Sequence, residues 1–454
     1  MNSCPRRIMR IVLNILHLCQ FCSIFYGFGS LRTFRSPRVC SPSIFWYIES
    51  VNGGFMENLL TQYARLVIEV QLKLREGDSL SINSEASTLT FARLLAQKAA
   101  LATRQTVTIV HTNHGKVVDA IPIEPIEKEI FRPPVQGAVM CHIVDLDEHP
   151  YLTPTDLNTA AEEVTTLGKY GLLADPVFLD RRIAVPWANI PYPGPRWALQ
   201  LLGTQASEED MWRLFTTLYR IEDEHGFRFW EEQGNLLAYR KQKLNERGRC
   251  RIRLVGDLWE IGATMAKDTL WAGGRQTLPS QRSFFSSLPV QAIHAALDGK
   301  SAKGTFTSSR PFYVLGQEVK GARFTVEDGL VTEYSAQSGE EALTALFSVD
   351  ENAKRVSEIS LADHDTVESH YLGKSIHPHF AREMASTIVL GGFSLDNLTT
   401  QQYEGDIEES ALCSSLVRVV VPIGDSHLSV TLHSEDGSES SVMEEGIFTE
   451  EGLV

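Results

Sequence analysis

The segment ADHDTVESHYLGKSIHPHFARE, residues 362–383, holds four of the chain's thirteen histidines, interspersed with Asp and Glu. Imidazole and carboxylate groups are the usual ligands of zinc and related ions, so the segment is a candidate metal site. Pro378 disfavours helix before it and indicates that its neighbours His377 and His379 lie in an extended or turn segment. That pattern is also typical of loop histidines without a ligand role. The segment alone leaves both interpretations open for its histidines, which are His364, His370, His377 and His379.

Length and composition describe an ordinary globular chain. With 454 residues, 43% of them hydrophobic, it is long enough for two or three domains with their own cores. A formal net charge of -15 argues against nucleic acid or an anionic membrane as the main partner, because both would repel it. Four cysteines precede Met56 and only three follow it, which does not resemble a disulfide framework.

The first 55 residues differ from the rest. Arg6, Arg7 and Arg10 precede an apolar run, which is the profile of a secretory signal or an anchor within residues 1–30. The following residues show no periodicity, and an amphipathic helix then begins abruptly at Met56. We therefore predict that residues 1–55 are a spurious extension, that the natural start is Met56, and that the protein is cytoplasmic. Export is expected only if residues 1–30 are a real signal. Such an extension is expected to pack poorly against the rest.

From Met56 onward the pattern alternates between helix and strand. Apolar residues at helical spacing predict a helix from Met56 to Gly77, and a second helix is predicted from about Ser87 to Thr103. Strands are predicted at LSIN, TVTIVH, AVMCHIVDL and RIAVPW. This alternation predicts a parallel α/β layer in which LSIN and TVTIVH are neighbours.

The pattern changes near Arg247. The run IPYPGP predicts a hinge or turn, Ser207 with Asp210 predicts a capped helix start, and a further helix is expected from about Glu231 to Arg247. Short strands with Gly and Asp turns follow, as in RIRLVGDLWEIG, ARFTVEDGLVTEYSA and LVRVVVPIG. We therefore predict an α/β domain over 56–247 with a largely parallel sheet, and a strand-rich α+β domain over 248–454. No strand is followed by a glycine-rich phosphate loop, so nothing indicates a nucleotide site.

Several stretches, in order, resemble the thermophilic metallo-aminopeptidases, the family of aminopeptidase T, aminopeptidase S and aminopeptidase II. The resemblance runs from about Met56 to the end of the chain. It is carried by YARLVIEVQLKLREGDSLSIN, TFARLLAQKAA, PYPGPRWA, GDLWEIG with WAGG, LPVQAIHAAL, SSRPFYVLGQEVKGARFTVEDGLVTEYSAQSGEEAL, VDENAKRVSEISL and IVLGG.

The resemblance implies a two-domain homodimer that removes the N-terminal residue of peptides with two divalent ions, such as cobalt, zinc or magnesium. Two close ions require carboxylates that bridge them and imidazoles in the outer positions. A shared water then becomes a hydroxide near neutral pH, and the ions polarise the scissile carbonyl. A tyrosine hydroxyl of the family stabilises the tetrahedral oxyanion.

Most of the family's ligands are replaced in this sequence. The first glutamate, in a motif of the type LPSGEVFTAP, corresponds to Ala292 of LPVQAIHAAL. The second, in a GEV motif, is kept as Glu358 of VSEIS. The histidine of DENAACHIALG corresponds to Thr387 of AREMASTIVLG.

The remaining positions are replaced as well. The oxyanion tyrosine corresponds to Ser394, with Phe393 beside it. The last motif, HVDFMIG, reads RVVVPIG, so that the second histidine is Arg418 and the aspartate is Val420. Ala292, Thr387 and Val420 cannot hold a catalytic ion, and Arg418 brings a permanent positive charge to a cation site. The opening histidines fall outside the ligand register of the family.

Three functions follow from this comparison. The leading hypothesis is a degenerate, metal-free aminopeptidase homologue without activity, which keeps the fold and acts as a binding or structural partner, with peptides as its candidate ligand. The alternative is an active metallo-aminopeptidase with a rebuilt site of Glu358 and the histidines of 364–379. A third hypothesis is metal-free hydrolysis by Ser394. If Arg418 replaces the ions, its guanidinium should bind Glu358 through a two-pronged salt bridge, with Thr387, Ser394 and Val420 nearby.

Overall fold

The computed structural model describes residues 56–113, 116–123, 138–147, 156–169, 183–203, 207–221, 224–372, 377, 379–398 and 411–450. These residues belong to one compact unit, Met56–Val454. The predicted extension over 1–55, and the expectation that it packs poorly, lie outside the described residues. The domain boundary near Arg247 stays a prediction.

The first sheet has five strands in the order β3-β2-β1-β4-β5. β1 lies between β2 and β4 and is parallel to both, β5 is parallel to β4, and β3 is antiparallel to β2. The predicted parallel pairing of LSIN with TVTIVH is confirmed, since Leu80 lies opposite Val107 and Ile82 opposite Ile109. The strands are β1 Leu80–Ser84, β2 Val107–Asn113, β3 Lys116–Ile123, β4 Val139–Asp145 and β5 Trp187–Tyr192.

Helices flank this sheet. A helix over 56–65 continues as a π-helical turn, Leu66–Gln71, and both together are called α1. The helices that follow in the chain are α2 Leu89–Thr103, α3 Leu157–Lys169, α4 Pro195–Leu202, α5 Glu208–Tyr219 and α6 Glu224–Glu246. α2 packs on β1 and β2. Its buried side chains recur at helical spacing, as the sequence pattern predicts.

Three predicted boundaries were wrong. α1 ends at Gln71 instead of Gly77, yet Leu74 beyond it still packs on the core and so continues the apolar period. α6 begins at Glu224 instead of Glu231. The strand predicted at RIAVPW begins only at Trp187 and runs into the predicted hinge as far as Tyr192. β5 is an edge strand, where a proline such as Pro191 costs no internal ladder bond.

The early start of α6 depends on a glycine. A Cβ on Gly226 would lie 1.8 Å from the carbonyl oxygen of Arg220, at the end of α5. Only a residue without a side chain lets the two helices approach so closely. The sequence pattern shows Gly226 as a helix-weakening residue, and tertiary packing overrides that preference.

The predicted capped start of α5 is confirmed. Ser207 Oγ accepts a hydrogen bond from the backbone N–H of Asp210, and the Asp210 carboxylate accepts one from the backbone N–H of Ser207.

Replacing Ser207 by alanine is expected to lower the free energy of unfolding by about 1 kcal/mol, because it leaves a backbone donor of the first turn unpaired. Urea unfolding measures this. Ser207→Asp keeps a capping oxygen and is the matched control, which should retain most of the stability. An equal loss in both variants would contradict a capping role.

After α6 the chain forms antiparallel sheets. The larger sheet has eight strands in the order β16-β15-β12-β7-β6-β20-β21-β22. Its strands are β6 Cys250–Gly256, β7 Trp259–Thr264, β12 Lys303–Thr307, β15 Arg323–Glu327, β16 Leu330–Ser335, β20 Ser429–Ser434, β21 Glu439–Glu444 and β22 Ile447–Phe448. The strand-rich second half is therefore confirmed.

A second antiparallel sheet, which we call the site sheet, has the order β19-β18-β17-β11-β8. Its strands are β8 Ala272–Gly273, β11 Ile293–Ala296, β17 Val356–Leu361, β18 Thr387–Gly391 and β19 Arg418–Pro422. β11, β17 and β18 are buried at every position. Two ribbons complete the strands: β9 Gln276–Thr277 with β10 Ser283–Phe284, and β13 Phe312–Val314 with β14 Gln317–Val319.

Short helices connect the strands of this half of the chain. They are α7 Glu340–Phe347, α8 Val367–Leu372, α9 Ala381–Met384 and a 3-10 turn, Leu395–Asn397. In the part of the chain that the structure describes, no helix combines the length and the apolar character needed to span a membrane.

Candidate functional site

The site sheet gathers the positions singled out in the sequence. Glu358 on β17 lies opposite Val389 on β18, which lies opposite Val420 on β19. By the same register Thr387 lies opposite Ser360, two residues from Glu358. Opposed residues of antiparallel strands share a face, as do residues two apart along a strand. Glu358, Thr387, Arg418 and Val420 therefore lie on one face, although they come from motifs up to 60 residues apart.

Glu358 is the centre of this face. Its side chain is fully buried, and its Oε1 accepts a hydrogen bond from Arg418 Nη2 at 2.7 Å. The predicted Glu358–Arg418 salt bridge is thus confirmed. The predicted two-pronged geometry is wrong, because Oε2 accepts from the backbone N–H of Ser394 at 2.7 Å. The turn after β18 carries this N–H to the carboxylate and so occupies the second oxygen.

Arg382 of α9 adds a second guanidinium. Its Nη1 lies 3.9 Å from Glu358 Oε1 and 3.4 Å from Ser394 Oγ, and its Nε donates to Glu383 at 3.3 Å. Burial by itself lowers the pKa of Arg382, but the neighbouring carboxylates of Glu383, Glu358 and Asp396 together outweigh it and raise the pKa above its ordinary value. Arg382 therefore stays charged, and two permanent cations flank one buried carboxylate.

Ala292, the first vestigial position, lies just before β11 and is fully buried. Its backbone N–H donates to Glu383 Oε2 at 2.9 Å, and the N–H of Gln291 donates to the same oxygen at 2.8 Å. A carboxylate therefore does lie beside this position, but it comes from α9 and is held by backbone donors and by Arg382.

Thr387 and Val420 offer little to an ion. Thr387 Oγ1 shares a 2.6 Å hydrogen bond with Ser360 Oγ, and both residues are fully buried. Val420 packs on the hydrophobic core. A neutral hydroxyl that is already hydrogen-bonded and an aliphatic side chain are not ligands that a divalent catalytic ion selects.

Sequence reasoning missed His294. It lies on β11, two residues after Ala292, and is fully buried with Nδ1 3.9 Å from Glu358 Oε1. Nδ1 is 3.0 Å from Asn397 Oδ1, and the Asn397 amide donates to two carbonyl oxygens. Asn397 Oδ1 therefore accepts a hydrogen bond from the Nδ1–H group of His294. The buried Nε2 then carries the lone pair and has no hydrogen-bond partner among the described residues. Side chains two residues apart along a strand face the same side, so a strand through Ala292 would have placed His294 on the same face.

His294 is neutral. Burial lowers its pKa well below the ordinary value for histidine, and the charge of Arg382 acts in the same direction. The 3.9 Å approach to Glu358 is therefore not an ion pair.

Among the described residues, the histidines of 362–383 form no group that could hold an ion. His377 and His379 do contact each other, since His377 Nδ1 accepts a hydrogen bond from the backbone N–H of His379 at 3.0 Å. His370 is exposed, as predicted. The prediction that His364 is exposed was wrong, because its side chain is partly buried. The backbone N–H of His364 donates to the carbonyl oxygen of Gly446, and a Cβ on Gly446 would lie 3.2 Å from the His364 ring. His377 Nε2 lies 3.3 Å from the carbonyl of Leu146, and His379 Nε2 lies 3.4 Å from Ser287 Oγ.

The residues on the site face do not fit a pair of divalent ions. Glu358 is held by Arg418 and a backbone N–H, and Ala292, Thr387 and Val420 provide no ligand atom free for metal binding. Within the described ranges, no group of three His, Cys, Asp or Glu side chains has an arrangement that could hold an ion.

Ser394 also lacks the groups for nucleophilic catalysis. Its Oγ accepts from Arg382, whose guanidinium stays protonated and cannot remove a proton. No histidine or carboxylate hydrogen-bonds to Ser394 Oγ among the described residues, so the structure gives the third hypothesis no base.

Comparison with known proteins identifies the family of this chain. The profile of the thermophilic metalloproteases (M29) matches residues 56–448. Aminopeptidase T of Thermus aquaticus is 25% identical over 409 residues, which cover 87% of this chain and 98% of the relative. Aminopeptidase 2 of Geobacillus stearothermophilus is 24% identical over 416 residues, covering 86% and 97%.

A solved structure shows the same fold. Wild-type AmpT from Thermus thermophilus matches with a TM-score of 0.67 and 22% sequence identity, covering 87% of this chain and 99% of that one. The predicted fold class, an α/β part with a largely parallel sheet followed by a strand-rich part, is confirmed. The profile match and the relatives together show that this chain belongs to the thermophilic metalloprotease family, M29.

Proposed function

We propose that this chain is a degenerate aminopeptidase homologue, which keeps the family fold and a polar pocket but has no two-metal centre and no peptidase activity. The observation that carries the proposal is the 2.7 Å bond from Arg418 to the buried Glu358. A guanidinium is a permanent cation, so its presence beside the one retained carboxylate opposes the binding of a divalent cation there. The neutral side chains at 292, 387 and 420 support the same conclusion.

The proposal includes partners and location. A homodimer and binding of peptides are what the family resemblance implies, and a cytoplasmic location is part of the same proposal. Two domains, over 56–247 and 248–454, belong to the same proposal. The alternative, an active enzyme with a metal site rebuilt from Glu358 and the histidines of 364–379, receives no support, because the described residues contain no group of three His, Cys, Asp or Glu side chains that could hold an ion.

Metal analysis combined with an activity assay tests the proposal. Protein purified without chelator, and then incubated with zinc or cobalt, is expected to retain less than stoichiometric metal. It is also expected not to hydrolyse leucyl and other aminoacyl amides above background. Stoichiometric metal with turnover that a chelator abolishes would show that the centre has been rebuilt and that the proposal is wrong.

A restoring variant provides the positive control. It combines Ala292→Glu, Thr387→His, Arg418→His and Val420→Asp, which return the family's residue types to one face of the site sheet. If the assigned register is right, this variant is expected to bind divalent metal that the parent does not. The readout is metal content after dialysis, which does not depend on recovered activity.

A further inference from the structure

A second serine, Ser287, lies beside a histidine, which Ser394 does not. Ser287 Oγ is 3.4 Å from His379 Nε2, and both residues are partly exposed. The other contact of Ser287 Oγ is the carbonyl oxygen of Leu288, at 3.5 Å. A serine hydroxyl beside an imidazole nitrogen is the arrangement of an activated nucleophile, and the distance between them is often longer before a substrate binds.

The backbone on both sides of Ser287 is held by the α/β part of the chain. The N–H of Asn189 on β5 donates to the carbonyl oxygen of Ser286 at 2.8 Å. The Tyr219 hydroxyl of α5 donates to the carbonyl oxygen of Leu288. Ser287 therefore sits between two anchored neighbours.

His379 is held by His377. Nδ1 of His377 accepts a hydrogen bond from the backbone N–H of His379 at 3.0 Å, so Nε2 of His377 carries the proton and donates to the carbonyl oxygen of Leu146 at 3.3 Å. The His377 residue is only 2% exposed. His377 is thus a positioning residue, and both members of the Ser287–His379 pair are fixed before any substrate arrives.

His379 is in the protonation state that a base requires. Burial lowers its pKa to about 4, and His142 and Arg382 act in the same direction. The imidazole is therefore neutral near pH 7 and can accept the serine proton. A base with so low a pKa is weak, so the pair suits esters with good leaving groups and not amides.

Two backbone donors lie next to the nucleophile. Among the described residues, the N–H groups of Ser287 and Leu288 donate to no protein acceptor. Acyl-transfer sites bind the developing oxyanion with the N–H of the nucleophile itself or of the residue after it. Ser287 thus has both a base and candidate donors for the oxyanion.

We propose that Ser287 and His379 catalyse the hydrolysis of activated esters without a metal. Ser287 Oγ forms a bond to the ester carbonyl carbon while its proton passes to His379 Nε2. The tetrahedral intermediate breaks its bond to the leaving alcohol, which takes the proton from Nε2, and an acyl-serine remains. Water attacks the acyl group in the same way and releases a carboxylic acid and the free serine. This activity goes beyond the proposed function and needs neither its metal centre nor an amide substrate.

Mass spectrometry of chelator-treated full-length protein after reaction with a fluorophosphonate tests the nucleophile. The reagent loses fluoride to an activated serine and phosphonylates its Oγ, so a single adduct on Ser287 is expected. The adduct should be absent from Ser287→Ala. It should remain in the matched control Ser286→Ala, which alters a neighbouring serine whose Oγ accepts from Gln276. No adduct, or an equal adduct in Ser287→Ala, would overturn the proposal.

The rate of p-nitrophenyl acetate hydrolysis tests the base. His379→Gln cannot take up the serine proton and is expected to lower the rate at least about a hundredfold. The parent rate should be nearly constant from about pH 8.0 to 5.5, because His379 stays neutral until the pH falls toward 4. A base with the ordinary pKa of histidine would lose about tenfold over that range. An unchanged rate in His379→Gln, or a tenfold loss in the parent, would refute the role assigned to His379.

The two proposals fail in different ways. Ester hydrolysis that disappears on chelation and returns with zinc or cobalt would refute the metal-free step. Turnover of aminoacyl amides that a chelator abolishes, with ester hydrolysis by Ser287 unaffected, would refute the proposed function alone.

Discussion

Replacing Arg418 by methionine is expected to lower the free energy of unfolding by about 1 to 3 kcal/mol more than replacing Arg418 and Glu358 together by methionine and glutamine. In the single variant the fully buried Glu358 carboxylate loses its 2.7 Å partner and keeps only the backbone N–H of Ser394 as a close donor. A buried charge without its counter-ion costs more than a missing pair. Urea unfolding of both variants and of Glu358→Gln closes the double-mutant cycle.

Two features set the size of this effect. The Arg418 side chain is one-third exposed, so water replaces part of the lost interaction and the cost falls below that of a fully buried pair. Arg382 Nη1, 3.9 Å from the same oxygen, offsets another part if it moves closer. An Arg253→Met variant, which breaks a solvent-exposed pair on the larger sheet, is expected to leave stability almost unchanged. Equal losses at positions 253 and 418 would contradict a special role for the buried pair.

The fold could be predicted where local pattern and tertiary packing agree. The parallel neighbours β1 and β2 are separated in the chain by α2. The apolar periodicity of each segment and the alternation of strand and helix both predict that arrangement. The predicted ends of helices and strands were wrong where tertiary packing overrides the local conformational preference of a residue. Gly226 weakens a helix in isolation, yet its lack of a side chain lets α6 begin close to Arg220. Pro191 suggests a turn, yet an edge strand tolerates it.

The candidate site could be predicted in part, because the family motifs assign Glu358 and Arg418 to one centre. Their pairing then follows from opposite charge and burial. The predicted second hydrogen bond between Arg418 and Glu358 was wrong, because the sequence does not reveal that the turn at Ser394 directs a backbone N–H onto Glu358 Oε2. His294 and Glu383 were missed for a related reason. They occupy no ligand position of the motifs and reach the site only through strand register and the placement of α9.

Lowering the pH from 7.5 to 5.0 is expected to destabilise the protein through its buried neutral histidines. Burial lowers the pKa of His379 to about 4, and His142 and Arg382 nearby add to the shift. Burial also lowers the pKa of His294. An unfolded histidine titrates near pH 6.5, so between pH 6.5 and 4 the unfolded chain binds more protons than the folded one. Stability is therefore present above pH 6.5 and is lost as the pH falls toward 4.

His379 alone accounts for about 2 kcal/mol of that loss at pH 5.0, from the separation between a pKa of about 4 in the folded protein and about 6.5 in the unfolded chain. The His379→Gln variant, whose amide can still hydrogen-bond to Ser287, should lose about 2 kcal/mol less than the parent between the two pH values. The matched control is His370→Gln, at an exposed histidine, which should follow the parent curve. Urea unfolding at constant ionic strength gives both differences. If His379→Gln has the same pH dependence as the parent, the imidazole of His379 does not lose its proton on folding as this argument requires.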